Sequence, residues 1–185
     1  PRSQPYLQSG IEGEFSLGRL VGMDVQNKNK ITLNSIDGRI ASNNISENIN
    51  FDMQANGHTD QGNPTAWNMA GSLNKGFLPN GSVNRQDLSM TLDANIQSLP
   101  IPLLCQFACV DPKLKLKIET VLGSKIDGKI KTQLQRMNGP LFVEVNGENG
   151  RFVIDAFLNQ GILRLNQDLR AQLSVTPQLG EYVLK

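Results

Sequence analysis

Apolar and polar residues alternate along most of this chain. Ile11, Phe15 and Leu17 alternate with Glu12, Glu14 and Ser16, and Ile31 and Leu33 with Thr32 and Asn34. Ile49, Phe51, Met53 and Ala55 interleave with Asn50, Asp52 and Gln54, and Trp67, Met69 and Leu73 make a further piece. Leu88, Met90, Leu92, Ala94 and Ile96 alternate with Ser89, Thr91, Asp93, Asn95 and Gln97. Ile126, Ile130 and Leu134 share a face with Gly128 and Thr132 between them. Leu141, Val143 and Val145 follow, then Phe152, Ile154, Ala156 and Leu158, and finally Leu163 to Val175. A period of two gives a strand one apolar and one polar side. Strands of that kind favour antiparallel neighbours, because a parallel sheet is buried on both faces.

Turn residues punctuate these runs. Asp37-Gly38 reads as a hairpin tip or a bulge, and Asn56–Pro64 as an exposed loop. Pro79-Asn80-Gly81, Asn146–Gly150 and Asn159-Gln160-Gly161 read as further turns. No repeat of fixed period is visible. The fold class expected is all-β: a mostly antiparallel, strongly curved sheet or β-groove meander with two or three short helices.

The helices come from Ser98 to Arg136, where the alternation breaks. Ser98 with Pro100 and Pro102 reads as an N-cap with proline in the first turn, starting a short apolar helix over Ile101 to Ala108. Asp111-Pro112 repeats the signal. A second helix over Pro112 to Leu122 would stop at Gly123 and gather Leu114, Ile118, Val121 and Leu122 on one side. Lys113 to Ile118 also alternates as a strand would, but the Asp-Pro start and Gly stop agree on a helix. Thr176-Pro177 offers a third start. The chain then divides into a linker at 1–10, an N-terminal meander at 11–97, a helical insert at 98–123, a C-terminal meander at 124–175 and a truncated helix at 176–185. Both ends read as cut from a longer chain.

Composition narrows the function. At 185 residues the chain suits one domain, or one segment of a larger repetitive protein. A net charge of +1 argues against nucleic acid as a partner. Residues 1–98 hold seven basic and nine acidic side chains, and residues 99–185 eleven and eight, so the basic excess lies in the second half. Cys105 and Cys109 are four apart, a poor disulfide spacing, and with His58 the single imidazole no metal site is expected. The two cysteines read as small buried hydrophobes.

Catalytic patterns are missing. There is no phosphate loop, no G-x-S-x-G and no H-E-x-x-H. His58 reads as a solvated loop residue, and Asp87 and Asp93 as carboxylates of a polar strand face. A non-enzyme that needs no cofactor is expected. Lys113, Lys115 and Lys117 are either a solvated face or a contact for anionic headgroups at a membrane surface.

The stretches LPIPLL (Leu99–Leu104), VLGSKIDGKIKTQL (Val121–Leu134) and GPLFVEVNGENG through to EYVL (Gly139–Leu184) resemble the C-terminal part of AsmA-like and TamB-related proteins. The resemblance covers roughly Leu88 to Leu184 and rests on an "LPxxLL" helix, an "LG" helix end and a meander of one-sided strands. It implies the periplasmic part of an inner-membrane-anchored protein of the bacterial envelope, built from β-grooves. The role it implies is lipid transport between membranes or outer-membrane assembly, with phospholipid as the partner. Acyl chains would then lie along Phe51, Met53, Met90, Leu92, Ile130 and Leu134. The competing expectation is a structural or interaction module of a secreted or surface protein, whose apolar face is a closed core. The apolar Leu179, Tyr182, Val183 and Leu184 of the last helix would allow self-association.

Overall fold

The computed structural model describes residues 9–23, 30–60, 62–78, 80–84, 86–101, 105, 111–174 and 177, with the backbone alone described at 112, 113, 115 and 116. The strands are β1 (Ile11–Leu17), β2 (Leu20–Met23), β3 (Lys30–Ser42), β4 (Asn48–Thr59), β5 (Pro64–Asn74), β6 (Ser89–Pro100), β7 (Lys125–Leu134), β8 (Gly139–Gly147), β9 (Gly150–Asn159), β10 (Ile162–Leu165) and β11 (Arg170–Leu173). Helix Pro112–Leu122 lies between β6 and β7.

All eleven strands belong to one open antiparallel sheet, in the order β1-β3-β4-β5-β6-β7-β8-β9-β10. Its two edges are built alike. β1 and β2 lie end to end along β3, and β10 and β11 lie end to end along β9. The two meanders expected from sequence are halves of this sheet, because β6 pairs with β7 across the helical insert. Accessible surface is 12156 Å², against about 8,800 Å² for a compact monomer of this mass.

Helix Pro112–Leu122 has the bounds its end signals predict. Asp111 Oδ1 accepts the Leu114 N–H at 3.4 Å, and Gly123 ends the helix at φ +95° with its N–H bonded to the Glu119 carbonyl. The β8–β9 turn finishes the cap: the Asn149 N–H reaches the Leu122 carbonyl and its Nδ2 the Thr120 carbonyl. Of the face expected to be buried, Ile118 and Leu122 pack on the core while Leu114 is exposed.

That core sits at one corner of the sheet. Ile101, Cys105 and Ile126 are buried together, with Leu99, Ile118, Leu122 and Val145 against them. Ile101 and Cys105 are helical and one turn apart, and the rest of the expected helix Ile101–Ala108, including Cys109, lies outside the described residues. So does the third helix start at Thr176.

Three local expectations are corrected. Ser98 is not an N-cap; it lies inside β6 at a register shift, with φ +49° and its N–H donated to Asp127 Oδ1 at 2.8 Å. Asp37-Gly38 is no turn but the middle of β3, whose irregularity falls between Leu33 and Ser35. Strand β4 continues through Asn56, Gly57 and His58 to Thr59, so His58 is a strand residue. The remaining loop there is closed by the Gly62 N–H on the Thr59 carbonyl. In each case a bond or side chain from a neighbouring strand overrides the local signal.

Candidate functional site

Register places all six candidate acyl-contact residues on one face. A single row crosses nine strands: Gly13, Ile40, Phe51, Gly71, Leu92, Thr132, Leu141, Ala156 and Leu165. A second row runs Phe15, Gly38, Met53, Met69, Ala94, Ile130, Val143 and Ile154. A third runs Leu17, Ile36, Ala55, Trp67, Ile96, Gly128, Val145 and Phe152, while Leu73, Met90 and Leu134 pair in a fourth. None of these rows holds a charge. Nine strand positions at ~4.8 Å make the face roughly 38 Å wide across the strands. Leu134 is buried; Phe51, Met53, Met90, Leu92 and Ile130 are partly exposed.

Glycine shapes this face. Nine glycines lie inside strands (13, 22, 38, 57, 71, 128, 139, 147 and 150), and register puts every one on the apolar side. Neighbouring side chains lie down over them. A Cβ on Gly71 would stand 2.7 Å from Phe51 Cζ, and one on Gly38 would collide with the Phe15 ring. Glycine there lets an aromatic ring cover the adjacent strand's backbone. Backbone comes as close at others: a Cβ on Gly71 would also strike the Thr91 carbonyl oxygen and one on Gly57 that of Thr32, and at the covered corner the glycines admit the helix backbone. A Cβ on Gly150 would come 2.7 Å from the Val121 carbonyl oxygen, and one on Gly147 would strike that of Leu122. The last helical turn therefore rests directly on β8 and β9.

The two buried threonines of this face also present it as hydrocarbon. Thr65 Oγ1 donates to the Gln97 carbonyl at 3.0 Å and Thr132 Oγ1 to the Pro140 carbonyl at 2.8 Å. With the hydroxyls so engaged, their polarity is satisfied by the sheet itself.

The opposite face is polar and carries ion pairs. Lys131 Nζ lies 2.8 Å from Asp93 Oδ2 between directly paired residues, and Arg151 reaches Glu144 Oε1 at 2.7 and 3.1 Å. Arg39 joins Glu12 at 2.5 Å and Glu14 at 3.6 Å. Hydrogen bonds from Lys131 and Arg151 hold the Asp93 and Glu144 carboxyls below the usual carboxylate range, and the Glu12 hydrogen bond raises Arg39. A shallow depression of about 660 Å³ lies mainly over this polar side, lined by Asn50, Ser72, Thr91, Asp93, Lys131, Gln133, Phe142 and Asp155, and also by Gly71, Leu92, Thr132 and Leu141 of the first row. Of the candidate acyl-contact residues it touches Leu92 alone.

Of the candidate headgroup lysines, Lys117 is exposed; the side chains of Lys113 and Lys115 lie outside the described residues. His58 Nδ1 stands 3.5 Å from Asn34 Nδ2 on the polar face. Among the described residues no three His, Cys, Asp or Glu side chains gather as a metal site would require, and no helix is long and apolar enough to cross a membrane. Alternation identified the six apolar residues strand by strand. It placed Gly128 among them but read Gly38, Gly57, Gly147 and Gly150 as turns. Comparison with protein-family models, with curated proteins and with solved structures finds no match.

Proposed function

We propose that this chain is a non-enzymatic segment of a bacterial envelope protein that holds or conducts phospholipid acyl chains along the apolar face of its sheet. One observation carries the reading: charge-free rows cross the sheet from β1 to β9 and beyond, and among the described residues only the helix and its neighbours at one corner pack over that face. An uncovered apolar surface of this extent is a binding surface by default. The in-strand glycines support curvature toward that face, because removing side chains on one side relieves crowding there. Phe51, Met53, Met90, Leu92 and Ile130 are the contacts; Leu134, the sixth candidate, is buried and supports them from within the face, and no residue performs chemistry. The placement in the periplasm, behind an inner-membrane anchor, follows the resemblance to AsmA-like and TamB-related proteins. Lys113, Lys115 and Lys117 would meet anionic headgroups beside the covered corner. The rival reading, a structural module with a closed core, has Ile31, Ile36, Ala55, Ala94, Leu134 and Ala156 buried outside the corner in its favour, and the open sheet, with its packed cluster at the corner, against it.

Native mass spectrometry after mild purification tests this. Phospholipid should travel with the wild-type chain and be lost from Met53→Asp and Leu92→Asp, which put carboxylates into the middle rows. The wild type should also sediment with anionic liposomes at low salt, and the triple change of Lys113, Lys115 and Lys117 to Glu should stop that. A bare mass together with no uptake of a fluorescent fatty acid would end the lipid reading. Failure to sediment alone would remove only the headgroup contact.

A further inference from the structure

The sheet has two free edges, and their exposed side chains are complementary. Among the described residues no strand pairs with the outer side of β1 and β2 or of β10 and β11. Ten of the sixteen exposed large apolar side chains belong to those four short strands. An edge presents unpaired N–H and C=O groups and is a template for another strand. Charge then separates the two edges. Strand β1 carries Glu12 and Glu14, both within reach of Arg39 on β3, with Arg19 in the β1–β2 link, while β10 and β11 carry Arg164 and Arg170 with Asp168 between them, so one edge is acid-rich and the other base-rich. Glu12, Glu14, Arg164 and Arg170 lie on the polar side, and the apolar side of each edge continues the charge-free rows with Phe15 and Leu17 or Leu163 and Leu165.

We infer that the two edges pair with each other between copies of this chain, head to tail. Strands β1 and β10 are the first and ninth of an alternating series, so they run the same way. A second copy displaced sideways therefore sets its β1 beside β10 and β11 in parallel and keeps both apolar faces on one side. The alternative is a copy turned by half a rotation about the sheet normal. That would give the somewhat stronger antiparallel pairing, but it sets Glu12 and Glu14 against their own counterparts, or Arg164 and Arg170 against theirs. Like charges across strands oppose pairing and unlike charges favour it. A head-to-tail dimer keeps one free edge of each kind, so assembly continues beyond it and prolongs the apolar face. The inference does not depend on what that face binds.

Sedimentation velocity of the 185-residue chain at low salt is the test. The wild type should form species that grow with concentration without a limiting stoichiometry and dissolve toward monomer at high salt. The pair Glu12→Lys with Glu14→Lys, and separately the pair Arg164→Glu with Arg170→Glu, should each weaken association by about tenfold or more. The second pair leaves the Arg39 ion pairs intact, so it remains informative if the first disturbs folding. Mixing the two variants should restore assembly, since each basic edge then meets an acidic one. A wild type that stays monomeric at low salt overturns the inference. So does association that neither charge reversal weakens, which would mean contact through the apolar faces, and so, where both variants keep the circular dichroism of the wild type, does failure of the mixture to recover.

Discussion

The apolar face has two regions with the same composition and different fates. At the corner, Ile101, Cys105, Ile118 and Leu122 lie on Leu99, Ile126 and Val145, and the residues become a core. Across the rest, Phe51, Met53, Met69, Met90 and Leu92 have neighbours beside them in the sheet and are only partly buried. The binary pattern is identical in both places. What differs is whether another element is brought over the face. An apolar row in a strand thus specifies which side is apolar, and the connection between strands decides whether that side is a core.

The largest expected effect separates these regions. Ile101→Ala and Ile126→Ala remove side chains from the covered corner, where lost burial and the residual cavity should cost about 2–4 kcal/mol. Met53→Ala and Met90→Ala on the open face should cost about 1 kcal/mol or less, since little packing is lost where little exists. Urea denaturation midpoints measure both. Equal losses in the two regions would mean that the open face is packed against something as the corner is.

A smaller effect distinguishes the glycines of the same two regions. A Cβ at Gly147 meets the Leu122 backbone, which cannot yield without moving the helix. Gly147→Ala should lift the last helical turn, at a cost of about 1–3 kcal/mol, with faster amide exchange in Thr120–Leu122. At Gly128 the nearest atom is Ile96 Cβ at 3.7 Å, an ordinary contact. Gly128→Ala should therefore be neutral or stabilising by up to about 1 kcal/mol, because alanine has less backbone entropy to lose. Amide exchange unchanged in the Gly147 variant would show that the helix does not need this close approach.

Much of this was legible in the chain. The side of each strand was readable because a period of two depends only on local order, so Phe51, Met53, Met90, Leu92, Ile130 and Leu134 could be chosen before any pairing was known. Hairpin connections then align neighbouring strands, and the six fall on one face. The helix Pro112–Leu122 was readable because Asp111 and Gly123 act on their own backbone neighbourhood. Gly38, Gly57 and Ser98 misled for the opposite reason. Their conformations answer to Phe15, Leu33 and Asp127, residues 23, 24 and 29 positions away, and no local pattern carries that information. The six candidates also gave no hint that the helix would cover one corner only.

The smallest expected effect compares the two faces rather than two regions of one. Stability from the apolar face does not titrate, whereas Asp93 and Glu144 on the polar face do. Both carboxyls are held below their ordinary values, chiefly by hydrogen bonds from Lys131 and Arg151. A depressed folded-state pKa means the unfolded chain takes up protons first as pH falls. The contribution is complete above the unfolded carboxylate range of about 4 and is lost as pH drops through the folded values below it. Both pairs are solvated, so the loss should be shallow and further reduced by salt. Denaturation midpoints at about pH 6 and pH 3 should differ less for Asp93→Asn with Glu144→Gln than for the wild type. Lys131→Met should return the Asp93 carboxyl toward its ordinary value, as followed by NMR titration, while leaving Glu144 depressed. If the double variant keeps the whole acid sensitivity of the wild type, these two pairs are bystanders on the polar face and other carboxylates carry the pH dependence.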